Sequence, residues 1–154
     1  MTVRALPVCP PTLTLAPEAT VAEAMSMMIQ REVNHIPLCE PGGRFLGLIS
    51  SNAILRALVP ASARVEHGVE NLNFVGDALP MLLDHMKGNA DRRVVELADA
   101  SVAPVRMETP LLEAALLLSR TNTPLPVVGD EGRLLGMMSR RMLLTYLLDK
   151  SRNG

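Results

Sequence analysis

Apolar positions along the chain fall into two kinds of run, one at helical spacing and one nearly continuous. Val21, Ala24, Met25, Met28 and Ile29 recur about every 3.6 residues, which predicts a helix with one apolar face turned toward a sheet. Its start is written as Thr20-Val-Ala-Glu23. A hydroxyl at the cap position with a carboxylate three residues on is a capping box. A second helix of this kind is predicted from Thr109, with Pro110 at the first helical position, where a missing N–H costs nothing. Leu111, Ala114, Ala115 and Leu118 form its apolar face. After each helix come two short apolar runs, 36–39 then 45–49, and 125–128 then 134–138. Each pair predicts a hairpin, with Pro41-Gly42-Gly43 and Gly129-Asp-Glu-Gly132 supplying the turn chemistry. A further helix follows each hairpin, over 51–58 and 140–148, and a short extended segment precedes each first helix, over 12–15 and 104–107. The order strand, helix, strand, strand, helix is therefore predicted twice.

The two copies also agree residue by residue. The interval from Pro37 to Pro126 recurs between Gly43 and Gly132, Arg44 and Arg133, Leu46 and Leu135, Gly47 and Gly136, Ser50 and Ser139, and Leu55 and Leu144. A repeat of this kind decides the architecture before any single element does. It leaves an insert over 61–90 that reads as helical. Asp77 is a candidate cap for a helix through Met81, Leu82, Leu83 and Met86, with Lys87 near its end and Gly88 as its stop. Asp91 is expected to cap a further turn through Val94, Val95 and Leu97, matching the lead-in Val3-Arg-Ala-Leu6 of the first copy.

Composition narrows the function classes. The chain has 154 residues, 48% of them hydrophobic, and a net charge of −1, enough to bury a core without staples and too neutral to show a footprint for nucleic acid or an anionic membrane. The insert is worse still for DNA. Residues 61–100 carry Arg64, Lys87, Arg92 and Arg93 against Glu66, Glu70, Asp77, Asp84, Asp91, Glu96 and Asp99, the wrong balance for neutralising phosphates. Glu113 interrupts the most apolar stretch, so no membrane span is expected. Pro7, Pro10 and Pro11 break any signal-peptide pattern, and a cytoplasmic protein is the expectation. Cys9 and Cys39 are not spaced as a metal or redox pair and are expected to be reduced, partly buried thiols. His35, His67 and His85 lack ligand spacing, so no metal site is expected. Aromatic residues make up 2% of the chain and there are 10 methionines, so aliphatic and thioether side chains must fill the core; Met25 and Met28 read as ordinary core positions. Neither a nucleophile elbow nor a phosphate loop occurs, and no His–carboxylate pair recurs with the repeat. No catalytic residue is assigned, and the chain is not expected to be an enzyme.

Thr20-Val-Ala-Glu-Ala24, His35-Ile-Pro-Leu38 and Gly47-Leu-Ile-Ser50 in the first copy, and Glu113-Ala114, Leu125-Pro-Val-Val128 and Gly136-Met-Met-Ser139 in the second, resemble the CBS domain, named after cystathionine β-synthase. The resemblance covers most of the chain. It implies an α/β (α+β) fold in which two β-α-β-β-α repeats pack with pseudo-twofold symmetry, with the helical insert between them. The corresponding division is 1–60 for repeat 1, 61–90 for the insert, 91–150 for repeat 2 and 151–154 for a disordered tail. It further implies a regulatory module without a required cofactor, whose clefts take adenosine-type ligands such as AMP, ADP, ATP or S-adenosylmethionine. A homodimer and a separate effector protein are the expected partners.

Ser50 and Ser139 each stand where a strand hands over to a helix. Unpaired N–H groups at such a start attract phosphate, while a serine there equally serves as a plain helix cap. Family members that bind nucleotides place an Asp three residues further on, where a carboxylate holds the ribose hydroxyls; here those positions are Ala53 and Met142. Asn52 and Arg141 stand one residue earlier and are polar. Arg140 and Arg141 occupy the first turn of a helix, against its macrodipole, so Ser139, Arg140 and Arg141 make a candidate anion site; the alternative is that both guanidinium groups extend into solvent or pair with acids. His35, two residues before Pro37, resembles a position from which family members reach toward a ligand phosphate, and is otherwise a surface or interface residue. Its counterpart, Pro124, offers no donor. The expectation is a sensor of a phosphate-bearing ligand, with a ligand-free dimerisation or partner-binding scaffold as the alternative.

Overall fold

The computed structural model describes residues 1–59 and 79–154. Five helices and four strands occur among them: α1 (Val21–Arg31), β1 (His35–Cys39), β2 (Phe45–Ser50), α2 (Ser51–Leu58), α3 (Leu79–Asn89), α4 (Leu111–Ser119), β3 (Leu125–Val128), β4 (Leu134–Met138) and α5 (Arg140–Asn153). The strands make two two-stranded sheets, β1 with β2 and β3 with β4. β3 and β4 run antiparallel with Leu125 opposite Met138 and Val127 opposite Gly136, and the register shifts at Val128. The predicted extended lead-ins are reduced to single parallel bridges, Leu15 to Leu38 and Val105 to Val127.

The chain divides into two compact units that do not follow the repeats: Met1–Ala16, Pro37–Gly47 and Asp99–Gly154 form one, and Pro17–Ile36 and Leu48–Ala98 the other. The reason is a crossing of the lead-ins. In the first unit the 3₁₀ turn Val3–Ala5 attaches to the start of α4, with Val3 N–H donating to Thr109 O at 2.9 Å, Arg4 N–H to Met107 O at 2.9 Å and Leu111 N–H to Met1 O at 3.0 Å. In the second unit the 3₁₀ turn Val94–Glu96 attaches to the start of α1, with Val94 N–H donating to Ala19 O and Val21 N–H to Arg92 O, both at 2.8 Å. Each repeat's lead-in thus completes the other repeat's first helix. Val3 and Val94 are fully buried, so the exchange is anchored by apolar burial as well as by the backbone.

The core of the first unit joins Val3, Leu6 and Val105 to α4 (Leu111, Ala114, Leu118), β3 and β4 (Leu125, Val127, Met138) and Leu143 of α5. Here the two hairpin turns meet. Arg44 and Arg133, equivalent in the repeat, form an antiparallel bridge, and Leu134 N–H donates to Gly43 O at 2.9 Å. Gly43 and Gly132 both take positive φ, 96° and 75°, a conformation glycine adopts without steric cost. The second unit packs α1 on α2 and α2 on α3, over buried Val21, Ala24, Met28, Ile36, Leu48, Ile49, Ile54 and Val94.

Several boundaries differ from the sequence expectation. Ile29 is 75% exposed, because it lies about 80° around the helix from Val21 while the buried stripe takes in only Val21, Ala24 and Met28. Pro110 is the cap residue of α4 rather than its first helical residue, and the Thr109 hydroxyl instead accepts from Arg106 N–H at 2.9 Å. Gly88 lies inside α3, which runs to Asn89, where the Asn89 side chain donates to His85 O at 2.6 Å. Asp91 caps nothing; Arg93 holds the cap position before Val94 without a side-chain bond. Residues 151–153, expected to be disordered, form the last turn of α5, where Lys150 and Arg152 suit the negative end of the dipole. Cys9 is exposed and Cys39 buried, both as free thiols, and burial pushes the Cys39 thiol up. The Asp77 cap and most of the insert fall outside the described residues.

Candidate functional site

β4 delivers Ser139 to the start of α5 with extended backbone, and its hydroxyl accepts from Met142 N–H at 3.1 Å. The equivalent Ser50 ends β2 and accepts from Ala53 N–H at 3.0 Å. Both serines therefore cap their helices, and each spends one lone pair doing so.

The two arginines after Ser139 part company. The Arg140 guanidinium turns back to donate to Leu118 O at 2.8 Å and Thr123 O at 3.4 Å. It supplies a cation at the negative C-terminal end of α4, so its position at the head of its own helix is compensated by the tail of another. Arg141 makes no hydrogen bond or ion pair with any described residue. It lines a cavity of about 380 Å³ with Ser139, Pro7, Met142, Thr145, Tyr146 and Asp149. Pro7, Met142 and the Tyr146 ring provide an apolar wall. The ring is fixed on two sides, by its hydroxyl on Met1 Sδ at 3.2 Å and by Lys150 Nζ at 5.6 Å from its centroid, the latter a cation–π distance.

Of the residues singled out in the sequence, Ser139 and Arg141 come together on this cavity. Ser50, Asn52 and His35 do not line it; they belong to the second unit, where Ser51 donates through N–H and hydroxyl to the Asn34 backbone and side-chain oxygens at 2.9 and 3.2 Å. That pair of bonds ties the start of α2 to the segment leading into His35, which opens β1 half-buried and with a bonding partner of its own. Asn52 is exposed in the first turn of α2. Thr145, Tyr146 and Asp149 were missed. Their signal was helical spacing: counted from Met142 they fall three, four and seven residues on, along one face of α5. Pro7 had no local signal, since only the crossing of the lead-in brings it to α5.

Among the described residues no cluster of His, Cys, Asp and Glu suits a metal ion, and no helix is long and apolar enough to cross a membrane.

A pair of strand-helix repeats with a capping serine at each second helix is the arrangement of a CBS pair, and the sequence pattern of the CBS domain matches residues 3–60 and 94–149. The chain belongs to the CBS domain family, whose pairs generally act as regulatory rather than catalytic modules. It is 26% identical over 144 residues to the chloroplastic CBS domain-containing protein CBSX1 of Arabidopsis thaliana, covering 90% of this chain and 60% of that relative's length. It superposes on the CBS-pair protein CBSX2 from Arabidopsis thaliana with a TM-score of 0.76 and 22% identity, over 99% of this chain and 98% of the other. CBSX2 in complex with AMP gives a TM-score of 0.71 at 22% identity, over 97% and 98% of the two chains. A CBS domain pair solved with 5′-methylthioadenosine and S-adenosyl-L-methionine gives 0.65 at 20%, over 98% of each.

Proposed function

We propose that this CBS pair senses an adenosine-type nucleotide, or another phosphate-bearing small molecule, in the cavity at the start of α5 and signals to a separate partner protein from the cytoplasm. The observation that carries the reading is Arg141, a guanidinium without a partner among the described residues on the rim of a cavity whose wall is apolar. Arg141 and the first-turn N–H groups beside Ser139 suit a phosphate. Pro7, Met142 and Tyr146 suit the face of a base. Asp149, on the same face of α5, adds a carboxylate acceptor to the lining. The AMP complex of CBSX2 and the S-adenosyl-L-methionine complex of another pair support the ligand class.

The test is a thermal-shift and calorimetric screen against AMP, ADP, ATP, S-adenosylmethionine and nicotinamide nucleotides. A ligand at a hundred times its Kd adds about 2.7 kcal/mol, which for a chain of this size raises Tm by roughly 5–10 °C. Arg141→Ala should abolish the shift without lowering the stability of the free protein. If no ligand stabilises the wild type at millimolar concentration, the scaffold reading replaces this one. That second reading, pairing with another copy of the chain through exposed leucines of α4 and α5, is compatible with the sensor and does not require a ligand.

A further inference from the structure

The geometry points to a second ligand site where the two hairpin turns meet, one that takes an amphoteric small molecule of the α-amino-acid class. Arg44 and Arg133 face each other across an antiparallel bridge, which sets their Cα atoms roughly 5 Å apart. Like charges directly opposite on paired backbone are destabilising unless something neutralises them. The pair is also held in place. The Arg133 stem lies 3.3 Å from where a Cβ on Gly43 would stand, and the Arg44 stem 3.6 Å from the same point on Gly132, so each arginine crosses the glycine of the other turn. Backbone bonds fix both turns in the same way: Glu40 N–H donates to Arg44 O at 2.9 Å, and Gly129 N–H to Arg133 O at 2.8 Å.

Neither guanidinium makes a hydrogen bond or ion pair with a described residue. They line an open cavity of about 640 Å³ together with Gly42, Leu135 and three carboxylates, Glu40, Asp130 and Glu131. Asp130 is already engaged by Arg106 at 3.4 Å. Glu40 and Glu131 have no side-chain partner among the described residues, so two cations and two anions unpaired within them share one groove. The arginines call for a carboxylate, which a guanidinium fork binds through parallel hydrogen bonds. The glutamates oppose a bare polyanion and provide for an ammonium instead. Leu135 leaves an apolar place for a side chain. A molecule carrying carboxylate and ammonium together satisfies all of these, and the site is independent of the nucleotide cavity, with which it shares no lining residue.

The experiment is an amide NMR titration of the full chain with glycine, L-leucine, L-glutamate and L-arginine, with acetate, ethylammonium and the polyanion pyrophosphate as probes that each carry one sign of charge only. At least one amino acid should shift the Gly43 and Gly132 amides saturably, and acetate and ethylammonium should not. Arg44→Gln with Arg133→Gln should weaken binding at least about tenfold, and so should Glu131→Gln, an exposed change that leaves the turns intact if the arginine variant misfolds. Arg141→Ala should leave this binding unchanged, which separates it from the nucleotide reading. No shift with any amino acid, a shift that survives both sets of variants, or stronger binding of pyrophosphate at these amides overturns the proposal and leaves two solvated arginines on surface turns.

Discussion

Gly136 shows what a single side chain would cost this fold. A Cβ there would overlap the Cys9 carbonyl oxygen and stand 2.7 Å from Val8 Cγ1, and its repeat partner Gly47 is almost as confined, at 3.0 Å from Asp99 O. Each glycine admits a crossing segment that must pass close to a strand. Gly136→Ala should therefore destabilise by about 1–3 kcal/mol through overpacking, read as a lower urea midpoint. Gly88 is the contrast: its added Cβ would meet nothing within 4 Å, inside helix α3. Gly88→Ala should stabilise by about 1 kcal/mol from helix propensity alone. A second residue-scale prediction concerns Asp99, whose carboxylate accepts from Ser101 N–H at 2.8 Å and from Ser101 Oγ at 2.6 Å. The Ser101 hydroxyl first, and its N–H second, hold Asp99 below the usual carboxylate range. A depressed folded pKa gives stability that is present above the unfolded value of about 4 and lost as pH falls through the folded one. In Ser101→Ala the Asp99 resonance should titrate at higher pH, and the acid side of the stability profile should lose this contribution.

Helices that looked alike in the sequence are finished in different ways. α1 has the full capping box, Glu23 N–H on Thr20 Oγ1 at 3.2 Å and Thr20 N–H on Glu23 Oε2 at 3.0 Å, a pattern legible because all its atoms lie within four residues. α4 has no side-chain cap; its start is completed by Met1 O and its end by Arg140. Neither was legible, because both partners are far away in sequence. The same division runs through the site. Ser139 and Arg141 are candidates from their order along the chain, and the tyrosine and aspartate that line the cavity with them lie within reach of helical spacing. Arg140 is placed for an anion by its own helix, while the carbonyls that hold it belong to another helix and to the segment after it. Arg140→Ala and Arg141→Ala should separate these roles. The first should lower stability by less than about 1 kcal/mol, since the side chain is exposed, and leave nucleotide binding in place. The second should leave the urea midpoint unchanged and remove the thermal shift.

At the scale of the molecule, exposed apolar side chains gather among the described residues on three helices, on α3 at Leu79, Met81, Leu82, Leu83 and Met86, and on α4 and α5. α4 is apolar on almost every side, and a helix of that kind is normally covered all round. Leu111, Ala114 and Leu118 are buried in the core, yet Leu112 is 84% and Leu116 48% exposed. On α5, Leu143 is buried, while Leu144, Leu147 and Leu148 are half-exposed or more and follow one stripe at helical spacing. Leu55, the repeat partner of Leu144, is also exposed. A second copy of the chain is the occupant we expect. Sedimentation across a range of concentrations should show a dimer, and Tm should rise with concentration because association is linked to folding. Leu144→Lys with Leu148→Lys should give a monomer whose Tm no longer depends on concentration. Both positions face solvent in the single chain, so the monomer itself should lose no more than about 0.5 kcal/mol. A wild-type chain that sediments as a monomer at every concentration would leave the leucines without this role.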